Sequence, residues 1–225
     1  MVLVTISIVS ALDHTIYGYS YWQELRKGSS VSLRYALLAL LSVEPMTGYD
    51  LSKRFESSVA YVWHAPDSQI YPELRKMEKD GLLAGEEIPW GPRGKKTQYR
   101  ITAEGRAAFR DWMNTPLEYS RERDPVHLKA AYLEWADPRA ARAHMQAHID
   151  YHTLRREQWA GMIQELKNGT NVMLRKRLAV TPDADRRRTL EYKIFTYEGL
   201  VARADTEIEW ARRGLALIDS LEEAS

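Results

Sequence analysis

"DSQIYPELRKMEKDGLL" (67–83) decides the fold, because it carries Ile70, Leu74 and Met77 at helical spacing and yet has Pro72 as its sixth residue. Apolar residues three and four apart fall on one stripe of a helix. If Asp67 or Ser68 caps that helix, Pro72 falls within about the first turn, where its missing N–H has no intrahelical partner anyway. Gly81 then supplies the left-handed residue that ends the helix. Its opening residues, Ser68, Gln69, Tyr71 and Glu73, are polar or aromatic and read as exposed, with Arg75 and Lys76 further along. A helix that served only as core would have no use for such a front end.

Two shorter helices are expected upstream. "SLRYALLALLSVEP" (32–45) places Leu33, Ala36, Leu37, Leu40 and Leu41 on one face and stops at Pro45. "TGYDLSKRFESSV" (47–59) opens with Thr47 and has Asp50 three residues on, which favours a capped helix with Tyr49, Leu51 and Phe55 inward. Downstream, "LLAGEEIPWGPRGKKTQYRIT" (82–102) reads as two strands joined by the loop "PWGPRGKK" (89–96), whose glycines and prolines punctuate it. Thr102 caps a fourth helix that runs to Pro116. Three short helices followed by a hairpin with a basic tip make a winged helix-turn-helix.

That arrangement points to double-stranded DNA. The front of a recognition helix faces base edges in the major groove. Ser68, Gln69, Tyr71, Arg75 and Lys76 are the candidates there. Arg93, Lys95 and Lys96 sit at the hairpin tip, and Lys53 and Arg54 on the second helix add backbone contacts. The net charge of +1 excludes a polycation, so placement of charge has to do the job.

The second half reads as helical. "DPVHLKAAYLEWADP" (124–138) is bracketed by prolines, and a long helix follows to Gly169. Leu190, Ile194, Tyr197, Val201, Ala204, Ile208, Ala211, Leu215 and Ile218 then alternate spacings of 4 and 3. Such a seam packs lengthwise on a partner, within the chain, on another subunit, or both. His144, His148 and His152 follow at i, i+4 and i+8. The first pair shares a face suited to Zn²⁺ or Ni²⁺, but three in a row span about 12 Å and cannot hold one ion. Histidines on an amphipathic helix are more often surface or seam groups, and neither metal nor cofactor is expected.

Absent cysteine excludes disulfides and thiol catalysis and fits a reducing cytoplasm. No apolar run is long enough for a membrane-spanning helix. Neither a phosphate-cradling loop nor a nucleophile elbow is present, so no enzyme activity is expected. "MVLVTISIVSAL" (1–12) lacks the basic start of a signal peptide. Residues 1–30 read either as an artefact or loose tail upstream of a true start at Val31 or as a short strand or helix packing through Tyr17, Tyr19, Tyr21 and Trp22.

"LRYALLALLSVEPMTGYDLSKRF", "SQIYPELRKMEKDGLL" and "GPRGKKTQYRITAEGR" closely resemble the PadR family of bacterial transcription regulators, over about residues 32–110. The helical second half is similar, more weakly, to the virulence-activator-like C-terminal domain of one subgroup. The resemblance implies a homodimer on a pseudo-palindromic operator, usually a repressor of a neighbouring transporter or stress gene. It also implies a small aromatic or cationic effector, with Trp112, Trp135, Trp159 and Trp210 as candidate contacts; core and interface packing is the more ordinary role for these rings. The expected fold is mainly α: an extension (1–31), a winged helix-turn-helix with a two-stranded wing (32–116), and an α-helical dimerisation domain (117–225). Two competing readings are a metal-dependent sensor or enzyme built on His144 and His148, and a winged-helix scaffold that binds no DNA.

Overall fold

The computed structural model describes residues 33–55, 65–117 and 123–223, and the chain divides into two compact units after Pro116. The expectations for residues 1–31 lie outside the described residues.

In the first unit, residues 33–41 form helix α1 and bury Leu33, Leu37, Leu38, Leu40 and Leu41. A two-residue strand, β1 (Met46–Thr47), leads into α2 (Gly48–Arg54). The capping box expected at Thr47 is present: its Oγ1 accepts from the Asp50 amide at 3.2 Å, and the Asp50 carboxylate accepts from the Thr47 amide at 3.2 Å. The Thr47 hydroxyl also donates to that carboxylate, and this, above all, holds Asp50 below the usual carboxylate range. Leu51 and Phe55 are buried as expected, but Tyr49 is 61% exposed. At 100° per residue it stands about 200° from Leu51, on the opposite face.

Helix α3 (Asp67–Lys79) buries Ile70, Leu74 and Met77. Its N-cap is Pro66, which offers no side-chain bond; neither Asp67 nor Ser68 caps it. Asp67 is the first helical residue, and its carboxylate accepts from the Ser52 hydroxyl, tying α3 to α2. Pro72 therefore lies in the second turn rather than the first, where it withholds the amide that would bond to the Ser68 carbonyl. Both residues are exposed, so the missing bond does not leave a buried carbonyl without a partner. The helix ends in a Schellman motif: the Gly81 amide donates to Glu78 O and the Leu82 amide to Met77 O, with Gly81 at φ 75°.

Glu73 corrects a further expectation. It is buried, not exposed, and accepts from Arg34 Nε at 2.7 Å, while Arg34 Nη2 reaches Asp80 at 2.8 Å. Burial alone would lower the Arg34 guanidinium, but these two bonds hold it above its ordinary value. Helix α1 thereby clamps the back of α3.

Strands β2 (Leu83–Trp90) and β3 (Gly94–Ile101) form the hairpin, and the antiparallel sheet runs β1-β3-β2. The connection is tighter than "PWGPRGKK" suggested, since pairing continues to Trp90↔Gly94 and leaves 91–93 as the turn. Pro89 is tolerated because β2 is an edge strand. Helix α4 (Ala103–Asn114) is capped by Thr102, whose Oγ1 accepts from Gly105 N at 3.0 Å. A Cβ at Gly105 would meet Leu82 O at 2.2 Å, so glycine is required for α4 to start against that turn.

The second unit is helical: α5 (Pro125–Ala130), a 3-10 turn (Leu133–Trp135), α6 (Pro138–Lys167), α7 (Val172–Ala179) and α8 (Asp183–Glu223). Asp137 caps α6, with Pro138 in the first turn. The predicted seam is real: Ile194, Tyr197, Ala204, Ile208 and Ala211 are buried, and α8 packs along α6. Arg142–Asp219, Arg156–Asp205 and Lys167–Glu198 pairs fix the two helices antiparallel. No helix of the described residues is long and apolar enough to cross a membrane.

Candidate nucleic-acid interface

The front of α3 is open. Ser68 and Gln69 are exposed on its first turn, which has no side-chain cap; the Gln69 amide donates instead to the Pro66 carbonyl at 2.9 Å. Tyr71 and Arg75, four residues apart, look along one face into a cleft of about 750 Å³. Its walls are the start of α2 (Thr47, Gly48, Tyr49) and the hairpin (Trp90, Lys96, Thr97, Tyr99). Helix α3 and the hairpin therefore share one concave surface.

Glycine makes that surface possible. A Cβ on Gly48 would lie 2.5 Å from Tyr71 Cε1, so the Tyr71 ring rests directly on the backbone of α2. Burial, more than the nearby Asp67 and Asp50 charges, raises the Tyr71 phenol; burial likewise raises Tyr99. Both keep their hydroxyl protons at neutral pH. Lys96 Nζ stands 4.3 Å above the Trp90 ring, an attraction that holds the ammonium over the cleft, and its charge helps lower Asp50.

The remaining sequence candidates are placed less uniformly. Lys76 is exposed on the outer side of α3, and Arg93 lies in the hairpin turn. Lys95 bonds Glu87 across the hairpin at 2.7 Å, but both groups are well exposed, and such a pair is worth at most about 1 kcal/mol. Lys53 is exposed on α2, whereas Arg54 is half-buried and reaches Glu44 at 4.0 Å. Sequence reasoning missed Tyr49, Thr97 and Tyr99 as cleft residues. The position of Tyr49 on the helical wheel was the available signal; the other two emerge only once β3 is paired.

The four candidate tryptophans are divided between the two units, and the three of the second unit do not share one environment. Trp112 belongs to the first unit, stacked on Tyr35 at 4.6 Å. Trp159 is buried in α6, and Trp135 is 87% exposed. Of the four, Trp210 alone lines a hollow of about 660 Å³ in the second unit, with Leu133, Met145, Gly214 and Ile218.

Residues 37–111 match the Transcriptional regulator PadR-like family. Over 103 residues the chain is 35% identical to the negative transcriptional regulator PadR of Bacillus subtilis, covering 45% of this chain and 56% of that protein. The chain spans about half the length of the curated relatives it matches. Its fold is similar to Bacillus subtilis PadR solved in complex with operator DNA (TM-score 0.65, 23% identity, 83% of this chain and 99% of that one). The same regulator in complex with p-coumaric acid gives a TM-score of 0.61 at 22% identity, over 83% and 98% of the two chains. The Vibrio cholerae virulence activator AphA gives 0.60 at 24% identity, over 84% and 99%. The stretch that joins α3 to the wing is thus similar to the PadR-like family of transcriptional regulators, over residues 37–111.

Proposed function

We propose that the protein is a sequence-specific, DNA-binding transcriptional regulator that acts as a homodimer on a pseudo-palindromic operator. The observation that carries the reading is the shared cleft, in which Tyr71 and Arg75 of an open-fronted helix stand beside Lys96 of the wing. Ser68 and Gln69 at the helix front suit base edges, Gln above all for adenine. Arg75 and Lys76 suit phosphates flanking the groove. Arg93, Lys95 and Lys96 follow the next stretch of backbone, and Trp90 offers a flat face to sugar.

Similarity to a negative regulator favours repression. A small aromatic or cationic effector in the Trp210 hollow would act by preferring one of two dimer geometries, which is all that allosteric control needs.

Footprinting on the DNA upstream of its own gene tests the proposal. Two protected half-sites about one helical turn, roughly 34 Å, apart are expected. Arg75→Ala should lower affinity on every sequence and shallow the salt dependence by about one unit of slope. Salt-insensitive or absent binding would leave the winged fold as a protein-interaction scaffold.

A further inference from the structure

The expectation that the histidines hold no metal rested on their spacing along one helix, and it considered His144 with His148. Packing of α8 against α6 changes the set. His144 stays exposed, whereas His148, His152 and Glu207 of α8 each offer a ligand atom, all within 4.8 Å of one another. We propose that His148, His152 and Glu207 form a binding site for one divalent transition ion of the zinc class, bridging α6 and α8.

Three features carry it. First, His152 is more than nine-tenths buried, and its Nδ1 has no hydrogen-bond partner. A buried polar atom without a partner costs about 1–3 kcal/mol, and a metal ion would satisfy such an atom if the ring turns it inward. Second, His148 Nε2 and Glu207 Oε2 are 3.1 Å apart, close to the roughly 3.3 Å separating two ligands on one tetrahedral ion. The His148 and His152 rings lie 4.4 Å apart between centroids, so a modest rotamer change brings the third donor into range. Third, two nitrogens and one carboxylate suit Zn²⁺ and leave a coordination position open.

The electrostatics agree. Burial, then the neighbouring His148, lowers the His152 imidazole, with Arg203 and Arg155 acting the same way and Glu207 opposing. The Trp210 ring packs edge-on against His148 at 5.4 Å, walling the site on one side. Helix spacing supplies the His–x3–His pair; the carboxylate comes from a residue 55 positions away and shows only after folding.

The test uses the full chain without a histidine tag, stripped by chelator and held at pH 7.5 with no DNA present, so its outcome is independent of operator binding. Zn²⁺ is titrated against a chromophoric chelator, and Co²⁺ is followed by visible absorption. One ion per chain with micromolar or tighter affinity is expected, together with the intense bands of low-coordinate Co²⁺. His148→Ala and Glu207→Gln should each weaken Zn²⁺ at least 10-fold, with His144→Ala unchanged. Because His152 is buried, His152→Gln is judged only on protein whose circular dichroism matches the parent. Uptake well below one ion per chain overturns the site, as does affinity that survives both His148→Ala and Glu207→Gln. Equal loss in His144→Ala also overturns it.

Discussion

Gly48 is the residue on which the candidate interface turns. Its missing side chain lets Tyr71 rest on α2, which sets where α3 presents Arg75. Gly48→Ala adds a methyl at 2.5 Å from a ring atom in the middle of the side chain, so the ring has to swing into the cleft. Alanine is otherwise the better helix residue by about 1 kcal/mol, so folding should survive. Operator affinity, measured by fluorescence anisotropy, should fall about 10-fold or more with melting temperature nearly unchanged. Glu73 gives the opposite signature. It faces Arg34 inside the fold rather than DNA, and Glu73→Ala, which removes the acceptor, leaves a part-buried guanidinium with Asp80 alone. A charged hydrogen bond of this kind is worth roughly 1.5–3 kcal/mol; urea denaturation should show a loss in that range, while the affinity of the folded fraction is kept. These two residues also mark what the sequence concealed. Glu73 looked like part of a polar helix front because its partner lies 39 residues upstream, beyond any local pattern.

At the scale of elements, most of the first unit was legible. The stripe of Ile70, Leu74 and Met77, the Thr47–Asp50 box, the Thr102 cap and left-handed Gly81 are local signals, and each has the predicted role. Errors arose where an element borrowed from a neighbour. Asp67 looked like a cap, but Ser52 of α2 takes its carboxylate, so the helix begins one residue earlier than an Asp cap would allow. The wing shows the same division. Its basic residues were plain, but their inequality follows from pairing: Lys95 is engaged by Glu87, whereas Lys96 is steered over the cleft by Trp90. Lys96→Ala should therefore cost more affinity than Lys95→Ala, by about 5-fold or more at moderate salt. Each substitution should shallow the plot of log affinity against log salt by up to about one unit, with Lys96 the larger. Equal effects would place the phosphate track along the hairpin tip instead of the cleft.

At the scale of the whole molecule, the heptad-like run of α8 was read correctly as a packing seam, but its partner could not be named from sequence. Within the chain that partner is α6, locked by ion pairs from Arg142 to Lys167. Much of the seam is thus consumed internally, which leaves other exposed faces of α8 for the proposed dimer. Tyr192 and Phe195, 66% and 72% exposed, stand together on α8 outside the seam, and large apolar side chains so placed commonly mark an interface. If the proposed dimer closes there, the double substitution Tyr192→Glu and Phe195→Glu should shift light-scattering mass from twice 26.0 kDa to 26.0 kDa. Helical content should be unchanged, because neither side chain belongs to the α6–α8 seam. Two half-sites held by one dimer bind with the advantage of a linked second contact, which is often 100-fold or more. The monomer should lose about that factor on a two-site operator and almost nothing on a single half-site. A dimer that persists through both substitutions would move the interface elsewhere, to the exposed apolar residues around Tyr132 and Leu128 of the α5 region.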